Sequence, residues 1–383
     1  MSIFGGGAVE QKVAVKYLGC ISDWTGYGEA NRVFIKALVE GGVDVTIEKV
    51  TYTNVTAEYG LLHKLALDLE ARPLVYDIKI VHVPSDNYLK HLEPTKYHIG
   101  HLFWETDSMS KPWVWNCNLM DEIWTGAYVH KENFLKAGVK VPIYVFPQPV
   151  ETNILSQAPF TLDGHKGFLF YSIFQWIERK NPKVLLSAYW KEFQNEENVS
   201  LLLKVYGFDF GGEQRNKIRK DILDWKHELN LPFYPRVFLQ LELLSSDDIW
   251  RLHNTGDCFV SAHRGEGWGR PQEEALVVGN PVISTNFGGI HEWLEDEKNA
   301  FLVKWNPGKV YNMEFAPWYE NSQGWAEVDE EDLRKRMRFV FDNRDKAKAV
   351  GLKGQEFVKD RFSFKAVGEL MKNRLIDIQK QIR

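Results

Sequence analysis

Two carboxylates, Glu266 and Glu274, stand eight positions apart in the segment SAHRGEGWGRPQEEALVVG. Gly265, Gly267 and Gly269 alternate through its first half, so the backbone there can fold closely around a ligand. Pro271 starts a helix that Gly279 stops. Glu266 then lies on a loop and Glu274 in the first turn of a helix. The two side chains can therefore grip separate hydroxyl-bearing parts of one ligand, for instance a sugar and a ribose. Complementing the helix dipole is the alternative use for Glu274. Downstream, PVISTNF leads into Gly288-Gly289 and a short helix, a second N-terminus that can receive an anion.

Two further loops carry chemistry. In FYSIFQWIERKNPKVLL, Asn181 and Pro182 mark a helix start, with Arg179 and Lys180 immediately before it. Cations beside a helix N-terminus oppose its partial positive charge, so they make sense if an anion such as a diphosphate sits there. A solvated charged turn is the alternative. In DWTGYGEAN, Gly26 and Gly28 fall between a strand and a helix, where backbone N–H groups can reach a bound anion or sugar. Gly26-x-Gly28-x-x-Asn31 also matches part of a dinucleotide fingerprint, with Glu48 20 residues beyond Gly28 where a ribose carboxylate would stand. That is the reading of an NAD-dependent dehydrogenase. It leaves 261–295 unexplained, and the six residues between Gly19 and Gly26 exceed a tight dinucleotide turn.

Strands followed by helices must position these loops. VAVKYLG, VDVTIEKV, DIKIVHV, KYHIGHLFWET, DEIWTGA and VPIYVFPQPV read as strands, with helical patterns in ANRVFIKALVEGG and HKLALDLEA. The pattern restarts after the polar stretch 156–166 with GFLFYSIF, VSLLLKVYG, VFLQLEL, CFVSAH and PVISTNF. This alternation predicts an α/β fold with two parallel sheets, the ligand lying beyond the carboxyl ends of the strands. The organisation expected is one such α/β domain over 1–155, a second over 156–355, and a C-terminal helix over 356–383. Residues 305–331 show little periodicity and read as an irregular insertion.

Composition bounds the function. Of 383 residues, 44% are hydrophobic and 26% charged, an ordinary globular balance. The net charge of −5 without a long single-sign block argues against nucleic acid as a partner. Three separated cysteines fit a reducing compartment and form neither a disulfide framework nor a metal cluster. No apolar run reaches the ~18 residues of a membrane span. The expectation is a cytoplasmic protein without stable membrane insertion, peripheral membrane association being left open. The 14 Trp, 15 Tyr and 23 Phe suggest aromatic cores, stacking platforms or both. A non-catalytic carbohydrate-binding protein using those aromatics is therefore a third reading.

The block Glu266-GWGRPQE-Glu274, followed by ALVVGNPVISTNFGG, resembles the E-x7-E signature of retaining nucleotide-sugar glycosyltransferases of family 4. The lead-in SSDDIWRLHNTGDCFVSAHR and the interdomain stretch FPQPVETNIL are similar to that family too, as is the glycine loop DWTGYGEAN. The resemblance implies a GT-B fold: two Rossmann-like domains facing a cleft, with the C-terminal helix crossing back onto the first. It implies hexose transfer from a UDP- or GDP-linked donor to a hydroxyl acceptor (glycan, lipid or protein), with no cofactor, the sugar nucleotide being a substrate.

Residue by residue, the resemblance implies that Glu266 contacts donor-sugar hydroxyls and Glu274 the ribose, with Gly26, Gly28, Gly267, Trp268, Gly269, Arg270 and Gly289 around the donor. Lys180 matches the phosphate-binding lysine. The family's partner arginine falls at Gln175 here, leaving Arg179 or Arg270 to supply the second charge. The family's sugar-facing histidine falls in HLFWETD, where His101 or Glu105 is available. There is no Asp-x-Asp pair, in agreement with metal-independent transfer in which cations and helix dipoles stabilise the leaving diphosphate. With 1–155 as the acceptor-side domain and 156–355 as the donor domain, acceptor contacts are expected from loops 48–60 and 105–116, with His82, Asp86, Trp113 and Trp115 as exposed candidates and core packing under a loop as the alternative for the two Trp.

Overall fold

A computed structural model describes residues 13–53, 60–154, 157–165, 167–194 and 197–382. The sequence boundary at 155/156 and part of the 48–60 loop fall outside these. The β-branched runs of the first half become β1 (Ala14–Gly19), β2 (Asp44–Lys49), β3 (Ile78–His82), β4 (Tyr97–His101), β5 (Glu122–Thr125) and β6 (Ile143–Val145). Those of the second half become β7 (Phe168–Gln175), β8 (Val199–Tyr206), β9 (Val237–Gln240), β10 (Cys258–Ser261), β11 (Val282–Thr285) and β12 (Phe301–Val303). Near-continuous burial along β3, β5, β7 and β8 is what strands covered on both faces require.

Both six-stranded sheets are parallel throughout, ordered β2-β1-β3-β4-β5-β6 and β12-β11-β10-β7-β8-β9. Strand order reverses between β1 and β3 in the first sheet and between β7 and β10 in the second. Loops leaving the carboxyl ends of such strands diverge to opposite faces and open a crevice. The glycine loop after β1, the Arg179–Lys180 turn after β7 and the Glu266 loop after β10 all leave at these reversals.

The 305–331 segment departs from expectation. It is not irregular: β13 (Trp305–Lys309) and β14 (Gly324–Val328) pair as an antiparallel hairpin. Pro307 and Gly308 concealed the pattern, since both residue types are poor strand formers. Asn181 also differs. It occupies the N-cap position at φ 56° and its side chain makes no cap bond.

The chain returns through the helix Phe364–Gln381, whose Val367, Met371, Leu375 and Ile378 join the core of the first domain. Glu122, fully buried on β5, anchors this crossing. It forms an ion pair with Arg374 and accepts hydrogen bonds from Trp124 Nε1 at 2.7 Å and Tyr97 Oη at 2.9 Å. Removing Arg374 leaves a desolvated carboxylate with only neutral donors. Arg374→Ala should cost ~3 kcal/mol in urea unfolding, with Arg374→Lys recovering part of it. Equal stability of the alanine variant and the parent would show that the pair does not anchor the helix.

Candidate active site

A cleft of about 1020 Å³ opens where the carboxyl ends of the two sheets face each other. Gly26, Glu105, Arg179, Lys180, Glu266, Gly267, Trp268, Gly269, Arg270 and Glu274 all line it. Ten of the residues expected at the site are thus brought to one wall system from separate loops. Gly28, Gly289 and His101 are not, and each has a physical reason.

A Cβ at Gly28 would lie 2.2 Å from the Asp23 carbonyl oxygen, so this glycine lets the first helix pack against its own entry loop. At Gly289 a Cβ would lie 1.8 Å from the Gly267 carbonyl oxygen, and its N–H donates to the Glu266 carbonyl at 2.9 Å. Gly289 therefore shapes the Glu266 loop from behind. His101 is buried and stacks on His82, ring centroids 4.1 Å apart. His82, at the end of β3, is the histidine that reaches the cleft wall. Its Nδ1 meets the Tyr17 hydroxyl, and burial lowers its pKa to about 3, so it is neutral at physiological pH. The sequence offers β3 and β4 as equivalent strand ends, and only sheet order makes β3 the one at the reversal.

Trp268 is 3% exposed, stacks on Trp293 and sits in an apolar cluster, so packing is its principal contact. Trp115 is 56% exposed but lies off the cleft wall; Asp86 lines it, and His82 and Trp113, expected as exposed, line it as buried side chains packed against neighbouring aromatic rings. Glu274 falls in the second turn of the helix Arg270–Val277, beyond the reach of simple dipole complementation.

The electrostatics centre on two cations from one turn. Lys180 Nζ forms an ion pair with Glu266 Oε2. Burial pulls the Lys180 pKa down while Glu266 supports its charge. Burial acts on Glu266 in the opposite sense, upward, but Lys180 and Arg179 outweigh it and hold the carboxyl at about 2. Arg179 donates to the Gly265 carbonyl at 2.8 Å and faces Glu105 at 3.6 Å across the domain boundary. Its buried Nε has no partner among the described residues, as is also true of Arg270 Nη1.

Arg270 is committed elsewhere. It pairs with Glu274 and, at 3.0 Å, with Glu29 of the first domain, while His253 Nε2 lies 3.3 Å from Glu274. Of the two arginines offered for the position of Gln175, Arg179 is the less saturated. Gln175 itself bonds the Gly207 carbonyl at 3.3 Å. Glu48, the ribose candidate of the dehydrogenase reading, pairs with Lys79 at 2.9 Å and Lys16 at 3.4 Å and does not line the cleft.

Two loops meeting at their strand ends, with paired cations and paired carboxylates between them, can now be set beside known proteins. Residues 160–339 match the family model described as glycosyl transferases group 1. Anabaena HepE, solved with UDP-glucose, superposes with a TM-score of 0.64 at 13% identity, over 95% of this chain and 99% of that one. Sucrose-phosphate synthase from Thermosynechococcus elongatus gives 0.69 at 13% identity, over 97% and 100%. The fold is GT-B.

Among curated relatives, α-1,3/1,6-mannosyltransferase ALG2 of Dictyostelium discoideum is 25% identical over 226 residues, 57% of this chain and 47% of that protein. Spore coat protein SA of Bacillus subtilis is 24% identical over 209 residues, 54% and 48%. The aligned parts of this chain thus span about half the length of these two relatives. The GT-B match accounts for the sheet reversals facing one another and for the helix that crosses back. Among the described residues no helix is long and apolar enough to cross a membrane.

Glu266 gives a pH signature. A carboxyl held at about 2 stabilises the fold at pH values above the ordinary glutamate value of ~4.3, and that contribution disappears as pH falls toward 2. In Lys180→Met the Glu266 pKa rises toward its unfolded value, so the loss of melting temperature between pH ~4.3 and 2 should be smaller than in the parent. Superimposable profiles between pH 3 and 7, apart from a constant offset, would show the pair to be uncoupled from folding.

Proposed function

We propose that the protein transfers a hexose from UDP- or GDP-hexose to a hydroxyl acceptor, with retention of anomeric configuration and without a metal or other cofactor. The observation that carries this reading is the convergence of Arg179, Lys180, Glu266 and Glu274 on one cleft between two switch-point crevices. In this reading Glu266 accepts hydrogen bonds from donor-sugar hydroxyls and Glu274 from the ribose. Arg179 and Lys180 meet the diphosphate. The UDP-glucose held by HepE on the same fold favours a uridine donor.

Lys180 is already paired, so donor binding must redirect it. Its ammonium has three N–H donors, and one bond to Glu266 leaves two for phosphate oxygens. As the bond between the anomeric carbon and the phosphate oxygen breaks, negative charge grows on the diphosphate, where the two cations and the start of the helix Pro182–Glu192 stabilise it. The acceptor oxygen bonds to the anomeric carbon on the same face. Its proton passes to the departing phosphate oxygen, so no side-chain nucleophile is needed. A cytoplasmic location fits this chemistry, since it draws on a soluble sugar nucleotide.

Lys180→Ala should lower kcat by a factor corresponding to ~2–4 kcal/mol of lost charge stabilisation, measured as nucleotide release from a panel of UDP- and GDP-sugars. UDP or GDP at about 100 times Kd should stabilise the protein by ~2.7 kcal/mol, and NAD should not. Full turnover by the alanine variant would remove the phosphate site from this reading. Stabilisation by NAD alone would restore the dehydrogenase. Sugar binding without any nucleotide binding would leave a carbohydrate-binding protein.

A further inference from the structure

The hairpin of β13 and β14 does more than extend the second domain. The loop joining its strands reaches over the cleft and docks on the first domain after β4. Asp107 and Gly324 exchange two bonds, Asp107 N–H to the Gly324 carbonyl at 3.0 Å and Gly324 N–H to Asp107 Oδ1 at 2.6 Å. Thr106 Oγ1 meets Gln323 Oε1 at 3.2 Å, and Gln323 Nε2 donates to the Trp318 carbonyl at 2.9 Å. Tyr319 stacks on Trp104 at 5.7 Å and donates to Glu105 at 2.9 Å. Trp318 is thereby presented beside Trp113 of the first domain, ring centroids 5.6 Å apart and planes 36° to each other, and both residues line the cleft.

This aromatic corner lines the cleft with His82, Asp86, Asn87 and Glu105, and Glu105 joins it to Arg179 of the donor side. Among the described first-domain residues that line the cleft, Asp23, Glu29, Asp86, Glu105 and Glu151 outnumber the cations Arg32 and Lys36. Arg32 bonds Glu29 and the carbonyls of Ile21 and Asp23, at 2.8 and 2.9 Å for the latter two, and Lys36 pairs with Glu40 at 3.0 Å. Lys90 lies outside the wall and donates to Asn87 Oδ1 at 3.1 Å. A phosphate-bearing acceptor needs available cations at this end, because a desolvated phosphate without them is costly. A sugar ring needs something different: an electron-rich aromatic face for its C–H surface, and carboxylate or amide oxygens for its hydroxyls.

From this geometry we infer that the acceptor is an uncharged saccharide whose ring lies against Trp318, which the buried Trp113 backs, on a platform completed only when the hairpin bridges both domains. The inference rests on the glycosyl-transfer reading above and supplies the acceptor class that reading leaves open. It makes Trp318 a specificity residue contributed by the donor domain to the acceptor side.

The test uses the full chain, a UDP- and GDP-sugar panel, and three acceptor probes: neutral p-nitrophenyl hexosides and disaccharides, a polyprenyl phosphate in detergent, and a Ser/Thr-rich peptide. Products are identified by mass. Transfer to the neutral glycosides is expected. Trp318→Ala should raise the acceptor KM about tenfold, equivalent to ~1.4 kcal/mol, while donor KM changes by less than about twofold. Trp318→Phe, which keeps an aromatic face, should recover most of the acceptor affinity and guards against misfolding of the alanine variant. Transfer only to the polyprenyl phosphate or the peptide, or an acceptor KM indifferent to both substitutions, overturns the inference while sparing the proposed function. No consumption of any sugar nucleotide by the parent overturns both.

Discussion

Burying two adjacent cations is the constraint on which this site depends. Arg179 and Lys180 leave the end of β7 together, and each would be costly to desolvate alone. The protein meets the cost with carboxylates drawn from different places: Glu266 from the loop after β10, and Glu105 from the loop after β4 in the other domain. Glu105 is in turn held by Tyr319 from the hairpin. Each cation is thereby set against a carboxylate inside the cleft, where charges act on an anion more strongly than in bulk solvent.

Other contacts also tie the two domains together. The helix Phe364–Gln381 crosses back through Arg374 and Glu122, and Arg270 reaches Glu29 from the second domain to the first. The hairpin bridges the far end through Asp107 and Gly324. Backbone approaches at Gly28 and Gly289 are close enough that a single methyl would collide with carbonyl oxygens, so the loops have little room to drift. Functional loops placed on rigid strand ends and cross-braced in this way keep their charged groups within hydrogen-bond reach.

Much of this was legible in the residue pattern. Eleven of the twelve strands in the two parallel sheets overlap segments that the alternation marks; the short β12 escaped because three residues carry too little periodicity. The Glu266 loop and the Arg179–Lys180 turn were visible as glycine alternation and as cations beside a helix start. What escaped has identifiable causes. His82 and His101 end equivalent-looking strands, and only sheet order separates them. The hairpin was hidden by Pro307 and Gly308. Trp318 looks like any aromatic until its partner, 205 positions earlier, is brought beside it.

The sequence by itself determined the local chemistry: which loops bear charge, where helices start, and that strands alternate with helices. Such features depend on residues within a turn or two of one another, so a linear pattern contains them. Tertiary structure alone decided which groups meet. It chose His82 over His101, left Arg179 less saturated than Arg270, turned Gly289 into a packing residue, and placed Trp318 over Trp113 on the cleft wall. Those outcomes depend on strand order and on contacts between distant segments, where side chains compete for the same buried partners. No spacing along the chain encodes that competition.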